Sequence, residues 1–198
     1  MNLTDRVPKP AGDSINTGLS PLHVATVLAL FGPPRAELTD EDQPITNPLL
    51  KGFMVTASVG PFRVTGNRIA VQALSEILRD VDAARPDLYQ ALGSDGMICC
   101  RRVRGSKSTP SNHAYGFAID ITVSRQHDVR GDGKVLRGLL DLYHYFHQHG
   151  WYWGAGFPTE DGMHFEPSDE LVMKWALAGS FGKVVQASAQ ALMKERGH

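Results

Sequence analysis

The chain has 198 residues, 42% of them hydrophobic, which suits one domain with a sizeable core and leaves room for two only if both are small. Lysine and arginine number 20 against 21 aspartates and glutamates, so no global field draws the protein onto nucleic acid or an anionic membrane, and partner choice has to come from a local site. The only cysteines, Cys99 and Cys100, are sequence neighbours with Cα atoms about 3.8 Å apart, too close for an ordinary disulfide, which excludes a disulfide framework.

Met1 to Thr17 is polar and carries Pro8, Pro10 and Gly12, whereas a secretory signal needs a basic start and then a continuous apolar core. Residues 1–19 therefore read as a flexible tail with no signal peptide, and a substrate outside the cytoplasm would require another means of delivery. Ser20-Pro21 reads as a cap with proline in a first helical turn, opening a helix that runs to about Phe31. Its apolar run, His23 to Phe31, is far shorter than the roughly 20 residues of a membrane span, so no membrane partner is expected. Gly32 to Lys51, with Pro33, Pro34, Pro44 and Pro48, has no clear period and reads as an ordered loop or linker. Phe53 to Ser58 and Phe62 to Val64 are short and β-rich. From Asn67 the period changes, and Ile69, Val71, Leu74, Ile77, Leu78 and Val81 form a helical apolar stripe that should pack on a sheet.

In the second half, Met97 to Val103 reads as a strand and Gly105 to Ser111 as a polar loop. Phe117 to Val123 alternates, with Phe117, Ile119, Ile121 and Val123 on one face and Ala118, Asp120 and Thr122 on the other. Val135 to His149 reads as a helix ending before Gly150 as a C-cap, and Trp151-Tyr152-Trp153 reads as packing. Met163 and Phe165 share one face of a short strand, and His164 and Glu166 share the other. The expected fold class is α+β, a central antiparallel sheet flanked by helices. Residues 20–198 form a single domain in which the helix and loop of 20–51 pack on a core of 52–178, and a C-terminal helix runs to 198. No internal repeat or low-complexity segment is present.

Ser111 to Asp120 and Asp161 to His164 together hold two imidazoles and two carboxylates. A catalytic zinc takes three protein ligands and leaves a fourth position open. His113, Asp120 and His164 fit that count. Asp161 is then free to take a proton from water that the metal has made acidic, which reads as a hydrolase. Strand alternation sharpens the expectation: Asp120 and His164 should face one metal from neighbouring strands, with His113 arriving from the loop. His144, His147 and His149 cluster near a helix end without the pattern of a helical zinc site and are left as solvated or dipole-facing. Arg130-Gly131-Asp132-Gly133 has the composition of a tight turn, and Asp128 to Gly133 lacks the spacing of a calcium loop.

The pattern Ser-x-His-x-x-Gly-x-Ala-x-Asp, followed by a carboxylate, Gly-Met and His-Phe-Glu, resembles the D-Ala-D-Ala metallopeptidase family. That family includes VanY-type D,D-carboxypeptidases and phage L-alanyl-D-glutamate endopeptidases and shares a zinc-site fold with the Hedgehog signalling domain. The likeness spans roughly Phe62 to Pro167. It implies one Zn2+ on His113, Asp120 and His164, Asp161 as catalytic base, and an arginine before the first motif that binds or polarises substrate. The candidates are Arg101, Arg102 and Arg104; Arg101 is favoured for the catalytic role, and Arg104 and Ser111 are assigned to substrate binding. Asp at position 161, where many relatives carry Glu, resembles the endopeptidase branch. The implied function is hydrolysis of an amide bond in peptidoglycan stem peptides by a cell-wall lytic or remodelling enzyme, endolysin-like in delivery or exported by a dedicated route. The stem peptide is the expected partner, and the chain is expected as a monomer. The competing class is a non-catalytic zinc-stabilised binding domain with a Hedgehog-like fold; a structural protein with an incidental motif ranks last.

Overall fold

The computed structural model describes residues 2–197. Its first strand, β1 (Arg6–Pro8), is followed by helix α1 (Val24–Phe31) and a single-turn helix α2 (Pro48–Lys51). Proline opens α2, and the Asn47 side chain accepts from the amides of Leu49 and Leu50, a cap that the proline-rich composition of this loop conceals. A hairpin of β2 (Met54–Ser58) and β3 (Arg63–Asn67) leads directly into α3 (Arg68–Ala84), because Asn67 caps the new helix at the amide of Ile69. The expected α3 stripe is buried at Val71, Leu74, Ile77, Leu78 and Val81. A short helix α4 (Pro86–Ala91) and strands β4 (Leu92–Gly96), β5 (Ile119–Val123) and β6 (Lys134–Leu136) precede helix α5 (Arg137–Gln148). Strands β7 (Trp151–Trp153) and β8 (His164–Pro167) and helices α6 (Asp169–Leu177) and α7 (Gly182–Arg196) complete the chain order.

The strands form small antiparallel sheets: β4-β5-β8-β7, the β2-β3 hairpin, and β1 with β6. The architecture is mixed, with helices packed around these sheets rather than around one extended sheet. Ile119, Ile121 and Val123 of β5 are fully buried, as the alternation requires, and Phe165 of β8 stacks between Phe146 of α5 and Trp153 of β7, at centroid distances of 4.3 and 5.9 Å. A second aromatic group joins Phe31, Phe53, Phe117 and Phe181, which ties α1 and the start of α7 to the segment entering β5. Among the described residues no helix is long and apolar enough to cross a membrane.

Residues 2–19 are not a flexible tail. Strand β1 pairs with β6, and the Asp5 and Leu3 carbonyls accept from Arg137 and Gly138 at 2.8 Å each. Asn16, only 6% exposed, lies along the free edge of β7: its Nδ2 donates to the Trp153 carbonyl at 2.9 Å and its Oδ1 accepts from the Trp153 amide at 2.8 Å. One side-chain amide thus supplies both hydrogen bonds that a further strand would give. The φ of +56° at Asn16 belongs to the left-handed region that asparagine tolerates. This attachment runs through backbone pairing, polar side chains such as Asn16 and Arg6, and the scattered apolar contacts of Leu3, Val7 and Ile15, so it leaves no hydrophobic period to read.

Two more boundaries are corrected. Ser20-Pro21 does not open α1. The Ser20, Leu22 and His23 amides are taken by Glu170, Glu166 and Asp169, and the helix starts at Val24. The strand expected at Met97–Val103 lies earlier, at Leu92–Gly96. The apolar run is misleading because Met97 and Cys100 are buried in a loop, where the Cys100 amide donates to Asp42 and the Arg102 amide to the Thr39 carbonyl. The C-terminal region is two helices, the second ending at Arg196, whose guanidinium meets Asp169 at 2.7 Å. Met1 and His198, the outer limits of the expected tail and last helix, lie outside the described residues.

Replacing Asn16 with alanine strands the buried amide and carbonyl of Trp153. The expected cost is about 2 kcal/mol or more, read from urea denaturation; an unchanged midpoint would show that the N-terminal segment does not hold β7.

Candidate metal centre

Three expected metal ligands are brought together by one turn, one strand and one register. Ser111 caps a single 3₁₀ turn over Asn112–Tyr115, accepting from the His113 amide at 3.3 Å. The chain then reverses at Gly116, where φ is +68° and a Cβ would stand 2.6 Å from the backbone nitrogen of Asn67. Only glycine meets both conditions. The Asn67 amide donates to the Gly116 carbonyl at 2.9 Å and fixes the turn against β3. Strand β5 begins three residues later, and its antiparallel register with β8 sets Asp120 directly opposite His164.

The donor atoms form a nearly equilateral triangle. His113 Nε2 and His164 Nδ1 are 3.3 Å apart, and Asp120 Oδ1 lies 3.4 Å from each. Tetrahedral coordination at the zinc–nitrogen and zinc–oxygen lengths of about 2.0–2.2 Å separates neighbouring ligand atoms by roughly 3.3–3.6 Å. The triangle has the dimensions of one face of such a tetrahedron. Asp120 Oδ1 is buried and lacks a partner in good hydrogen-bond geometry, so the residues present fit a metal, and His113, Asp120 and His164 could hold one.

The outward nitrogens are also fixed. His113 Nδ1 faces the Met97 carbonyl at 3.3 Å, and His164 Nε2 faces Glu166 Oε2 at 3.0 Å. Each imidazole can therefore donate through one nitrogen and present the other to a metal. Glu166, 1% exposed, accepts as well from Asn112 Nδ2 at 2.8 Å and from the Leu22 amide at 2.9 Å. Strand alternation places Glu166 on the face of His164, and the contact with that imidazole is the role this position serves. Burial works to raise the Asp120 carboxyl, but the two imidazoles outweigh it and hold the group well below the usual carboxylate range. Burial likewise works to lower His164, and Asp120 with Glu166 overcomes it, pushing the imidazole up to about 10.

Asp161 lines the same cavity, of about 670 Å³, as the triad. Burial raises its carboxyl first of all, with Asp120 adding to the rise and His164, Arg130 and His113 opposing it. Its backbone is anchored by donation to the Gly154 carbonyl at 2.9 Å. Arg101, Arg104 and Ser111 line this cavity too, whereas Arg102 turns to Asp40 at 3.1 Å and to the Lys107 carbonyl. Two residues read as loop and turn also reach the site. Arg130 Nε lies 3.6 Å from Asp161 Oδ2. Asp128 is buried, accepts from the Leu136 amide, and lies 3.6 Å from Arg6 of β1. A Cβ on Gly162 would stand 2.1 Å from Asp128 Oδ2, so the residue after Asp161 packs on this carboxylate. Neither residue belongs to a motif, and only tertiary placement reveals them.

Two titration behaviours follow. Metal binding at the triad near neutral pH should displace the proton that the raised His164 imidazole holds, so affinity should rise with pH. Calorimetry in buffers of different ionisation enthalpy should read about one proton released per metal at pH 7; release near zero would contradict the charge arrangement. Asp128 is pushed by burial to about 6, above its ordinary 3.8, so the folded state binds the extra proton and stability is lost as pH rises through about 4 to 6. Asp128→Asn should remove that component, measured as the difference between wild-type and variant unfolding across this window; parallel profiles would contradict it.

The comparisons with known proteins fall on this same segment. Residues 104–167 match the family described as D-alanyl-D-alanine carboxypeptidase. No curated protein and no solved structure matched the chain. The matched residues contain all three atoms of the donor triangle together with Asp161 and Glu166. Over that segment, about a third of the chain, the protein is similar to the D-Ala-D-Ala metallopeptidase family.

Proposed function

We propose that the chain is a zinc-dependent peptidase that hydrolyses an amide bond in peptidoglycan stem peptides, either as an L-Ala-D-Glu endopeptidase or as a D-Ala-D-Ala carboxypeptidase. The observation that carries this reading is the 3.3–3.4 Å donor triangle sharing a cavity with the half-buried carboxyl of Asp161. His113, Asp120 and His164 would hold the zinc, which supplies a Lewis acid for the scissile carbonyl and lowers the pKa of water.

Asp161 is the general base. Its carboxylate takes a proton from the attacking water and returns it to the nitrogen of the leaving amine as the amide C–N bond breaks. The upward pull of burial on Asp161 suits both halves, because a carboxyl nearer neutrality accepts and gives up a proton with less penalty. Arg101 polarises the carbonyl that is attacked, while Arg104 and Ser111 bind substrate. Glu166 keeps the His164 proton on Nε2 and so leaves Nδ1 free as a donor to metal. The enzyme would act on the wall after release by a lysis system or by dedicated export, as a monomer.

The test is zinc content followed by digestion of purified peptidoglycan with wild type and Asp161→Ala, the soluble products being identified by mass spectrometry. Wild type should release fragments, and Asp161→Ala should retain zinc yet lose about 10²–10⁴ in rate. Equal digestion by both would remove Asp161 from the mechanism. Zinc binding with no digestion by wild type would favour the zinc-stabilised binding domain. Release of D-alanine against cleavage inside the stem separates the two peptidase types.

A further inference from the structure

Arg101, Arg104 and Arg130 all line the cavity around the donor triangle, and they reach it from different segments. Arg101 is tied to the approach to His113, since its carbonyl accepts from the Ser111 amide at 3.0 Å. Arg130 is tied to Asp161. The Glu160 carbonyl accepts from the Gly131 amide at 3.1 Å, the Glu160 carboxylate accepts from the Gly133 amide, and Asp132 meets Arg6 at 2.8 Å. The loop carrying Arg130 is thus fastened to the residue before Asp161 on one side and to β1 on the other.

Most carboxylates in this cavity are already engaged. Asp120 lies between the two imidazoles, Glu166 holds His164, Asp95 meets His127 at 2.8 Å, and Asp128 faces Arg6. The contact of Arg130 with Asp161 is Nε to Oδ2 at 3.6 Å, beyond a direct hydrogen bond. No hydrogen bond from its guanidinium to a described residue accompanies this contact. A cation whose only task was to neutralise Asp161 would engage it through the two-pronged edge that guanidinium offers a carboxylate. Arg130 thus lines the cavity beside Asp161 with its guanidinium donors unspent on any described residue, next to the group that handles the proton of the leaving amine.

We propose that Arg130 is a specificity residue that binds the free α-carboxylate of the residue whose amine is released. This inference rests on the peptidase reading and names what the substrate must carry. Both candidate reactions satisfy it: a terminal D-alanine has its carboxylate on the carbon bearing the scissile nitrogen, and so does D-glutamate linked onward through its γ-carboxyl. Amidation of that carboxylate leaves the size nearly unchanged but removes the charge-assisted pair.

The test uses the zinc-loaded full chain and two pairs of peptides. L-alanyl-γ-D-glutamyl-L-lysine is compared with its α-amidated form, and D-alanyl-D-alanine with its C-terminal amide. Titration calorimetry reads affinity, and mass spectrometry of the same samples reads cleavage. For at least one pair the wild type should bind the acid about tenfold or more tightly than the amide. Arg130→Ala should bring that ratio close to one, and Arg130→Lys should restore part of it, with circular dichroism melting confirming that the variants fold. A wild type without acid preference overturns the proposal. So does a preference that survives Arg130→Ala, which would assign the carboxylate to Arg101 or Arg104. Binding with the expected ratio but without cleavage would count against the peptidase reading while supporting the role of Arg130.

Discussion

The antiparallel register of β5 and β8 is the constraint on which the site depends. It places Asp120 opposite His164, and a slip of one strand by one residue would put the two side chains on opposite faces of the sheet. Register is costly to change because Ile119, Ile121, Val123 and Phe165 occupy that other face, all fully buried. Asp120 and His164 therefore gain their precise placement from hydrophobic packing on the reverse side of the same strands. His113 is added by a turn that only a glycine at position 116 can make against β3.

Charge is arranged in layers around this register. The two imidazoles sit among Asp120, Glu166 and the more distant Asp161, and Glu166 is itself held by Asn112 and by the Leu22 amide. Asp161 has a different environment, in which burial rather than pairing dominates. Carboxylates with opposed tendencies in one cavity are a physical basis for dividing roles between ligand and base.

The parts legible in the sequence were those with a local cause. Alternation in Phe117–Val123 and around His164 marks the face that Asp120 and His164 share, and the 3.6-residue period marks α3 and α5. Elements stabilised by distant partners were not legible. The segment from Asn2 to Leu19 looks like a tail because its attachments are to the Trp153 backbone, to β6 and to α5. Met97–Val103 looks like a strand because burial of Met97 and Cys100 mimics one, although its amides pair with Thr39 and Asp42. Arg130 and Asp128 sit in a loop whose composition signals only a turn, and their nearness to Asp161 is a product of the fold.

The hydrogen bond from the Leu22 amide to Glu166 spans 144 positions of the chain, and that from Asn16 to Trp153 spans 137. During synthesis the first residues must therefore wait until most of the protein has emerged before they find their partners. The support behind His164 cannot close before Glu166 has been made. A partial chain can expose His113 and Asp120 without His164, and a site of two ligands holds metal weakly. Long-range closure would thus couple any loading of a metal at this triad to completion of the fold, at the cost of the slower folding that distant contacts impose.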